Sequence, residues 1–268
     1  MAIKRNLVLG GSGTIGKALC EYLVAKGEKV INLDIKEGND LRVISLDKYK
    51  NVDFVWFLAW EVGGAKFIMN KENSYKILDS NLRICINVFD FLNKYNLPFL
   101  FTSSQLAATD NTYGLTKLIG EEYVQSLNNG KIVRLWNVYS WEEPSEKSHF
   151  IPDLIIKAYK NKVIDLMTDG KEERQLIYID DCVRNLVLIR ELNGKMFHLT
   201  NNKWISVAEI AQKIANIFNA KIKLNEHSGY QCKVEPNKTH KLFNFEVNID
   251  EGIEKVIKKA KNYLNSIK

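Results

Sequence analysis

Tyr113 and Lys117 stand four residues apart in the segment YGLTK. On a helix that spacing places both side chains on one face. Upstream, Gly10, Gly13 and Gly16 lie in the run GGSGTIG. A glycine loop between a strand and a helix brings a dinucleotide to the end of a sheet. Together, loop and pair describe a device that moves a hydride and a proton between a nicotinamide and a carbinol. Taken alone, the pair would also suit an ordinary amphipathic helix with a snorkelling lysine.

The loop has the spacing GxxGxxG. Gly10 permits the tight turn after the strand, Gly13 lets backbone approach a pyrophosphate, and Gly16 lets the helix pack closely on the sheet. Thr14 and Ile15 open that helix, whose N-terminus faces the diphosphate. Asp34 follows 18 residues beyond Gly16, at the end of the second strand. A carboxylate there accepts from both ribose hydroxyls and repels a 2′-phosphate, which favours NAD over NADP. Asp40 and Leu41 are candidate adenine contacts.

Alternating elements must hold these groups. Residues 3–9 form an apolar run ending in glycine, the first strand. Residues 14–26 carry Ile15, Leu19, Tyr22 and Leu23 at helical spacing, and residues 29–33 form a second strand. A short helix fits near residues 45–50. DFVWFLAW, residues 53–60, is continuously apolar, as a strand buried on both faces of a parallel sheet is. A helix over 74–94, a strand over 97–102, a helix over 111–127 and a strand over 131–135 follow. Beyond them come a helix over 149–160, a strand-like run over 176–181, a helix to about 192, a strand over 196–200, and helices over 206–219 and 250–265. The alternation predicts an α/β fold, a doubly wound parallel (Rossmann) sheet with a small interleaved C-terminal substrate lobe. Residues 1–140 plus about 176–200 are assigned to the nucleotide-binding domain, and about 141–175 plus 201–268 to the lobe.

The chain has 268 residues, is 46% hydrophobic and 26% charged, and carries a formal charge of +6. Its lysines are dispersed except for Lys255, Lys258, Lys259 and Lys261, and no stretch interleaves basic and aromatic residues, so nucleic acid is not expected as a partner. The cysteines, Cys20, Cys85, Cys182 and Cys232, form no CxxC pair and no metal-ligand spacing. Free thiols in a cytoplasmic protein without a metal are expected. The first apolar run is too short for a signal peptide or a membrane span, and no later run reaches that length.

These residues resemble the extended short-chain dehydrogenase/reductases, specifically the NAD-dependent nucleotide-sugar epimerase/dehydratase group. The resemblance runs through GGSGTIG, Asp34, Leu58-Ala59 with the adjoining Trp60, Asn81, Thr102-Ser103-Ser104, Tyr113 with Lys117, RLWNVY (134–139) and IYIDD (177–181). It implies that Tyr113 is the general base toward a sugar hydroxyl. A free phenol titrates at about 10, so a nearby cation such as Lys117 must favour the phenolate. Lys117 would also hold the nicotinamide ribose, and Ser104 would hydrogen-bond the reacting oxygen. Leu58, Ala59, Trp60 and Asn81 would touch the cofactor. Asn137 would lie beside the sugar diphosphate, and Arg174 would grip the diphosphate or ribose. Arg174 reads equally well as an exposed member of a charged run.

Three details narrow the reaction. Ser104 and Tyr113 are nine residues apart, a shorter link than in the sugar-nucleotide relatives. Related 4,6-dehydratases carry an Asp-Glu pair where this chain has Gln105 and Leu106, neither of which can serve as acid or base for removing water. WEVGGAKFI (60–68) and KSHFIPDLI (147–155) resemble segments of GDP-fucose synthase, the first also of GDP-mannose 3,5-epimerase. That places His149 as an epimerisation acid and substrate contact, while a helix-capping or solvated histidine is the plain alternative. The cysteine base of those enzymes is replaced by Gln105. The expectation is an NAD-dependent epimerase acting on a nucleotide-diphosphate sugar, GDP-linked sugars included, by hydride transfer at C4. A 4-keto reductase or 4-dehydrogenase, or a non-catalytic binding protein of the same fold, are the alternatives. By analogy the helices over 74–94 and 111–127 pair two copies into a homodimer.

Overall fold

Short apolar runs, each bounded by glycine, asparagine or aspartate, become the strands of a central sheet. In this computed structural model, which describes residues 3–231 and 234–266, β1 (Arg5–Leu9) passes through the glycine loop into α1 (Thr14–Ala25) and on to β2 (Lys29–Leu33). β3 (Phe54–Phe57), α2 (Ala65–Ile68), α3 (Ser74–Lys94), β4 (Phe99–Ser104), α4 (Thr112–Ser126) and β5 (Gly130–Leu135) follow. The sixth strand of the sheet, β9 (Met196–Leu199), arrives after β6 (Asn137–Tyr139), α5 (Phe150–Asn161), β7 (Val163–Asp165), β8 (Glu173–Tyr178) and α6 (Ile179–Glu191). The strand order is β2-β1-β3-β4-β5-β9, and every pairing is parallel.

Because side chains alternate along a strand, the sheet buries two faces. Val8, Trp56, Leu100 and Val133 face one way and pack with Leu19 and Leu23 of α1 and Cys182 and Leu186 of α6. Leu7, Leu9, Val55, Phe57, Phe99, Phe101 and Ile132 face the other and meet Cys85, Val88 and Phe89 of α3 and Val124 of α4. This is the doubly wound α/β architecture that the alternation predicts.

β10 (Trp204–Ser206), α7 (Val207–Phe218), β11 (Lys221–Lys223) and α8 (Ile249–Ser266) complete the chain. β10, β8 and β6 form a three-stranded sheet, and β11 pairs with β7. Asp181 ties the segment before α8 to α6, accepting from the backbone N–H groups of Glu246 at 3.1 Å and Val247 at 3.0 Å.

Two sequence expectations are corrected. The apolar run 53–60 leaves the sheet at Phe57, because the N–H groups of Leu58 and Ala59 both turn onto the Leu9 carbonyl, at 3.0 and 2.8 Å. The run 176–181 is not one strand: β8 ends at Tyr178 and α6 begins at Ile179, with Asp180 and Asp181 in its first turn, where carboxylates favour the helix dipole. Cys20, Cys85 and Cys182 are free thiols, while Cys232 lies outside the described residues.

Candidate active site

The strand order reverses between β1 and β3, and ligands of such sheets lie at the carboxyl ends of the strands beside that switch point. A cavity of about 1470 Å³ opens there. That exceeds the room one small ligand needs. Every expected site residue except Asn81 lines it.

The glycine loop forms its first wall. Gly10 has φ +87, and a Cβ on it would lie 2.7 Å from the Ala59 backbone, so the loop after β1 touches the chain leaving β3. A Cβ on Gly16 would lie 2.1 Å from the Gly10 carbonyl oxygen. α1 therefore starts as close to the sheet as backbone allows. Its N-terminus has no side-chain cap and no acid in its first turn. Such an end leaves N–H donors and a positive dipole for an anion. Asp34 is buried, and its carboxylate accepts from the N–H of Ser12 at 3.0 Å and of Lys36 at 2.9 Å. It thus braces the loop while each oxygen keeps a lone pair. Uncapped helix, close-packed glycines and carboxylate suit the diphosphate and ribose of a dinucleotide. Asp40, at the far end of this wall, is held by Arg42 at 2.7 Å.

β4 and α4 supply the second wall. Ser104 ends β4 and its hydroxyl accepts from Leu106 N–H at 3.1 Å, capping a single turn, Gln105–Ala108. Asn111 caps α4 through Gly114 N–H at 2.8 Å. The short link between Ser104 and Tyr113 is thus two capped turns. Burial pushes the Tyr113 phenol well above its ordinary range, and the hydrogen-bonded Ser104 hydroxyl pulls it partly back. The Lys117 ammonium donates to the Thr102 carbonyl at 2.6 Å and lies 5.9 Å from the Tyr113 ring centre. Burial lowers its pKa to about 7. Gln105 is buried with its side-chain carbonyl unpartnered.

The third wall comes from the C-terminal half. Asn137 donates to the Gln175 carbonyl at 3.2 Å. Arg174 donates to the carbonyls of Glu173 and Tyr230, each at 2.8 Å, so it is anchored rather than part of a loose charged run. His149 precedes α5, with Nδ1 3.0 Å from both carboxylate oxygens of Glu142, which also accepts from the His149 backbone N–H. Gly64 N–H donates to the Lys147 carbonyl at 2.9 Å, docking the GG pair against the segment that carries His149.

Asn81 is a correction. It is fully buried on α3 and does not line the cavity. Its side chain accepts from Glu61 N–H at 2.7 Å and donates to the Glu61 carbonyl at 3.2 Å and to Thr116 Oγ1 at 3.3 Å. It shapes the loop after β3 from behind the cavity wall. Two functional contacts escape sequence reasoning: Glu142 behind His149, and Trp60 over Lys117. Glu142 sits in the run EEPSE, where nothing in the spacing singles out one acid. Among the described residues no helix is long and apolar enough to cross a membrane, and no cluster of His, Cys, Asp or Glu could hold a metal.

Comparison with known proteins agrees with this geometry. A protein of Methanocaldococcus jannaschii provisionally named UDP-glucose 4-epimerase is 26% identical, over 96% of this chain and 98% of its own. UDP-2-acetamido-2,6-beta-L-arabino-hexul-4-ose reductase of Pseudomonas aeruginosa is 28% identical over 80% of this chain and 58% of its own. Among solved structures, an epimerase from Methanothermobacter thermautotrophicus superposes with a TM-score of 0.84 at 20% identity, over 99% of this chain and 94% of that one. UDP-glucose 4-epimerase from Thermotoga maritima, solved with UDP-glucose, gives 0.82 at 17% identity, over 97% and 99%. The NAD dependent epimerase/dehydratase family matches residues 6–199. The chain belongs to that family and is an NAD-dependent enzyme of the extended short-chain dehydrogenase/reductase type.

Proposed function

We propose that the protein is a nucleotide-sugar epimerase that oxidises and re-reduces a sugar carbinol at C4, with Tyr113 as base, Ser104 as ligand of the reacting oxygen and Lys117 as their cationic partner. The observation that carries the reading is the meeting of Ser104, Tyr113 and Lys117 in one cavity that Asn137, His149 and Arg174 also line. A bound nicotinamide would supply the acceptor and donor of the hydride. Tyr113 takes the proton of the sugar hydroxyl as that hydride leaves carbon, and returns it in the reverse step. Ser104 donates to the same oxygen, which steadies the charge developing there. Burial leaves the Tyr113 proton hard to remove, so positive charge must be near the phenol when it acts, and Lys117 is the chain's own source of it. The uncapped start of α1 holds the dinucleotide diphosphate, and Asp34 its ribose. Anchored Arg174 binds the substrate diphosphate, with Asn137 beside it.

If the hydride is not returned, the same residues make a 4-keto reductase or a 4-dehydrogenase. Dehydration is not part of the proposal, because neither the Gln105 amide nor Leu106 can carry a proton between substrate atoms. We take the substrate to be UDP- or GDP-linked. UDP is the nucleotide in the names of three of the four proteins compared above, and the Gly63-Gly64 segment supports guanosine. We further take two copies to pair in the cytoplasm through α3 and α4, which expose Tyr75, Ile86 and Leu115. Sedimentation gives the oligomeric state directly.

Mass spectrometry of nucleotide that co-purifies, followed by turnover of the matching sugar nucleotide, tests the substrate. Tyr113→Phe should abolish turnover while NAD still binds. Unchanged turnover in that variant would overturn the catalytic assignment.

A further inference from the structure

The Lys117 ammonium is almost wholly buried, with 3% exposure, yet it makes a single hydrogen bond, to the Thr102 carbonyl. Among the described residues no carboxylate pairs with it directly. Glu121, one turn further along α4, is occupied by Arg134 at 2.8 and 2.7 Å and by Ser103 at 2.5 Å. Cys85 approaches from α3, but burial pushes its thiol up to about 12, so it is neutral at ordinary pH. Tyr113, on α4 itself, is neutral for the same reason.

Aromatic rings fill the counter-ion's place. Lys117 Nζ lies 4.1 Å from the centre of the Trp60 ring and 4.9 Å from that of Phe101. The indole is fixed. Its Nε1 donates to Thr116 Oγ1 at 3.2 Å, that hydroxyl donates to the Tyr113 carbonyl at 2.8 Å, and the ring packs on Phe101 at 5.3 Å. Trp60 is thus bonded to the same turn of α4 that carries Tyr113 and Lys117. An ammonium is attracted to the face of an indole more strongly than to any other aromatic side chain, and most strongly where water is excluded.

We propose that Trp60 is a positioning residue for Lys117, its ring face standing in for a carboxylate so that the buried ammonium stays charged and aimed at the cavity. A carboxylate would hold the charge but would also neutralise it toward Tyr113. A ring face holds the ammonium while adding no net negative charge. Burial draws Lys117 down to about 7 even with Cys85 and Glu121 pulling it up, and the ring face opposes the pull of burial. The inference rests on the reading of Lys117 as the cationic partner of Tyr113, but its test does not.

The test is the titration of Lys117 by NMR in the full chain with 13Cε-labelled lysine and no ligand, the signal being assigned with Lys117→Met. Trp60→Leu removes the ring, and tryptophans carrying one to four fluorines at position 60 weaken its face at nearly constant shape. The Lys117 midpoint should fall by about one pH unit in Trp60→Leu, a tenfold change in the protonation equilibrium, and stepwise along the fluorinated series. A ring that only buried Lys117 would act with the opposite sign, since removing it would admit water and raise the midpoint. A midpoint unchanged or raised in Trp60→Leu, or flat along the fluorinated series, overturns the proposal. If Trp60→Leu does not fold, the fluorinated series decides alone. A falling midpoint in a protein that turns over no sugar nucleotide would leave the cage standing and remove the substrate reading.

Discussion

His149 Nδ1 lies 3.0 Å from both carboxylate oxygens of Glu142, and the same carboxylate accepts the His149 backbone N–H. Glu142 thereby fixes where the imidazole sits before α5 and leaves Nε2 as its other functional edge. On the proposed reading, Glu142→Gln and His149→Asn should lower turnover by similar factors, about a hundredfold, the low end for an acid–base group. NAD affinity should not move in either variant. A solvent deuterium isotope effect on turnover separates a proton-transfer role from a binding role. Turnover and isotope effect both unchanged in His149→Asn would remove the acid assignment.

His198 gives a pH-dependent stability. It is buried on β9, its Nδ1 accepts from the Asn237 N–H at 3.0 Å, and its pKa falls from 6.5 to about 4, through burial first and Arg134 second. The unfolded chain therefore binds a proton that the folded chain refuses between those values. Stability rises with pH in that window, is lost as pH falls through it, and is fully present above 6.5. The contribution is of order 3 kcal/mol, at about 1.4 kcal/mol per pH unit. Urea titrations at a series of pH values should show this slope, and His198→Gln should flatten it.

Asp34→Ala should weaken NAD binding about tenfold to a hundredfold, the loss expected when hydrogen bonds to a charged group disappear. Fluorescence titration with NAD reads this directly. An unaltered affinity would remove Asp34 from the cofactor site.

Gly16→Ala would place a methyl group 2.1 Å from the Gly10 carbonyl oxygen, where only backbone could yield. A loss of about 2–3 kcal/mol in urea unfolding is expected, together with weaker NAD binding. Gly27, where a Cβ would meet nothing within 4 Å, is the control for added side-chain bulk, with the cost of its positive φ of +77 taken into account.

Arg190 and Glu28 form a two-pronged pair, both bonds at 2.7 Å, that ties α6 to the turn before β2. The Arg190 side chain is only 7% exposed. Arg190→Met leaves Glu28 without this partner and should cost about 3 kcal/mol in urea unfolding. Arg190→Lys should restore only part, because an ammonium cannot reproduce the fork.

The central sheet was legible because burial on both faces leaves unbroken apolar runs, as in residues 53–60, and because α3 spans the 74–94 that its periodicity predicts. The three-residue strands β6, β7, β10 and β11 were not. Three residues carry no period, and their pairing is set by partners far along the chain. The residues that line the cavity were legible where a motif carried them. Asn81 was placed on the right helix, but its amide turns inward to Glu61 and Thr116, a choice that depends on neighbours distant in sequence. The link between Arg174 and Tyr230 spans 56 residues and leaves no local mark.

The two capped turns between Ser104 and Tyr113 have a consequence for how this enzyme can diversify. Serine, tyrosine and lysine ride on regular elements joined by a minimal connection, which leaves little chain on that wall free to vary. Glu142, His149 and Arg174 are carried outside the central sheet, and hydrogen bonds within the C-terminal half of the chain hold them. On the proposed reading, changes in sugar preference can therefore accumulate around these residues while the chemistry stays fixed, which makes residues 141–149 the natural place to graft a new specificity.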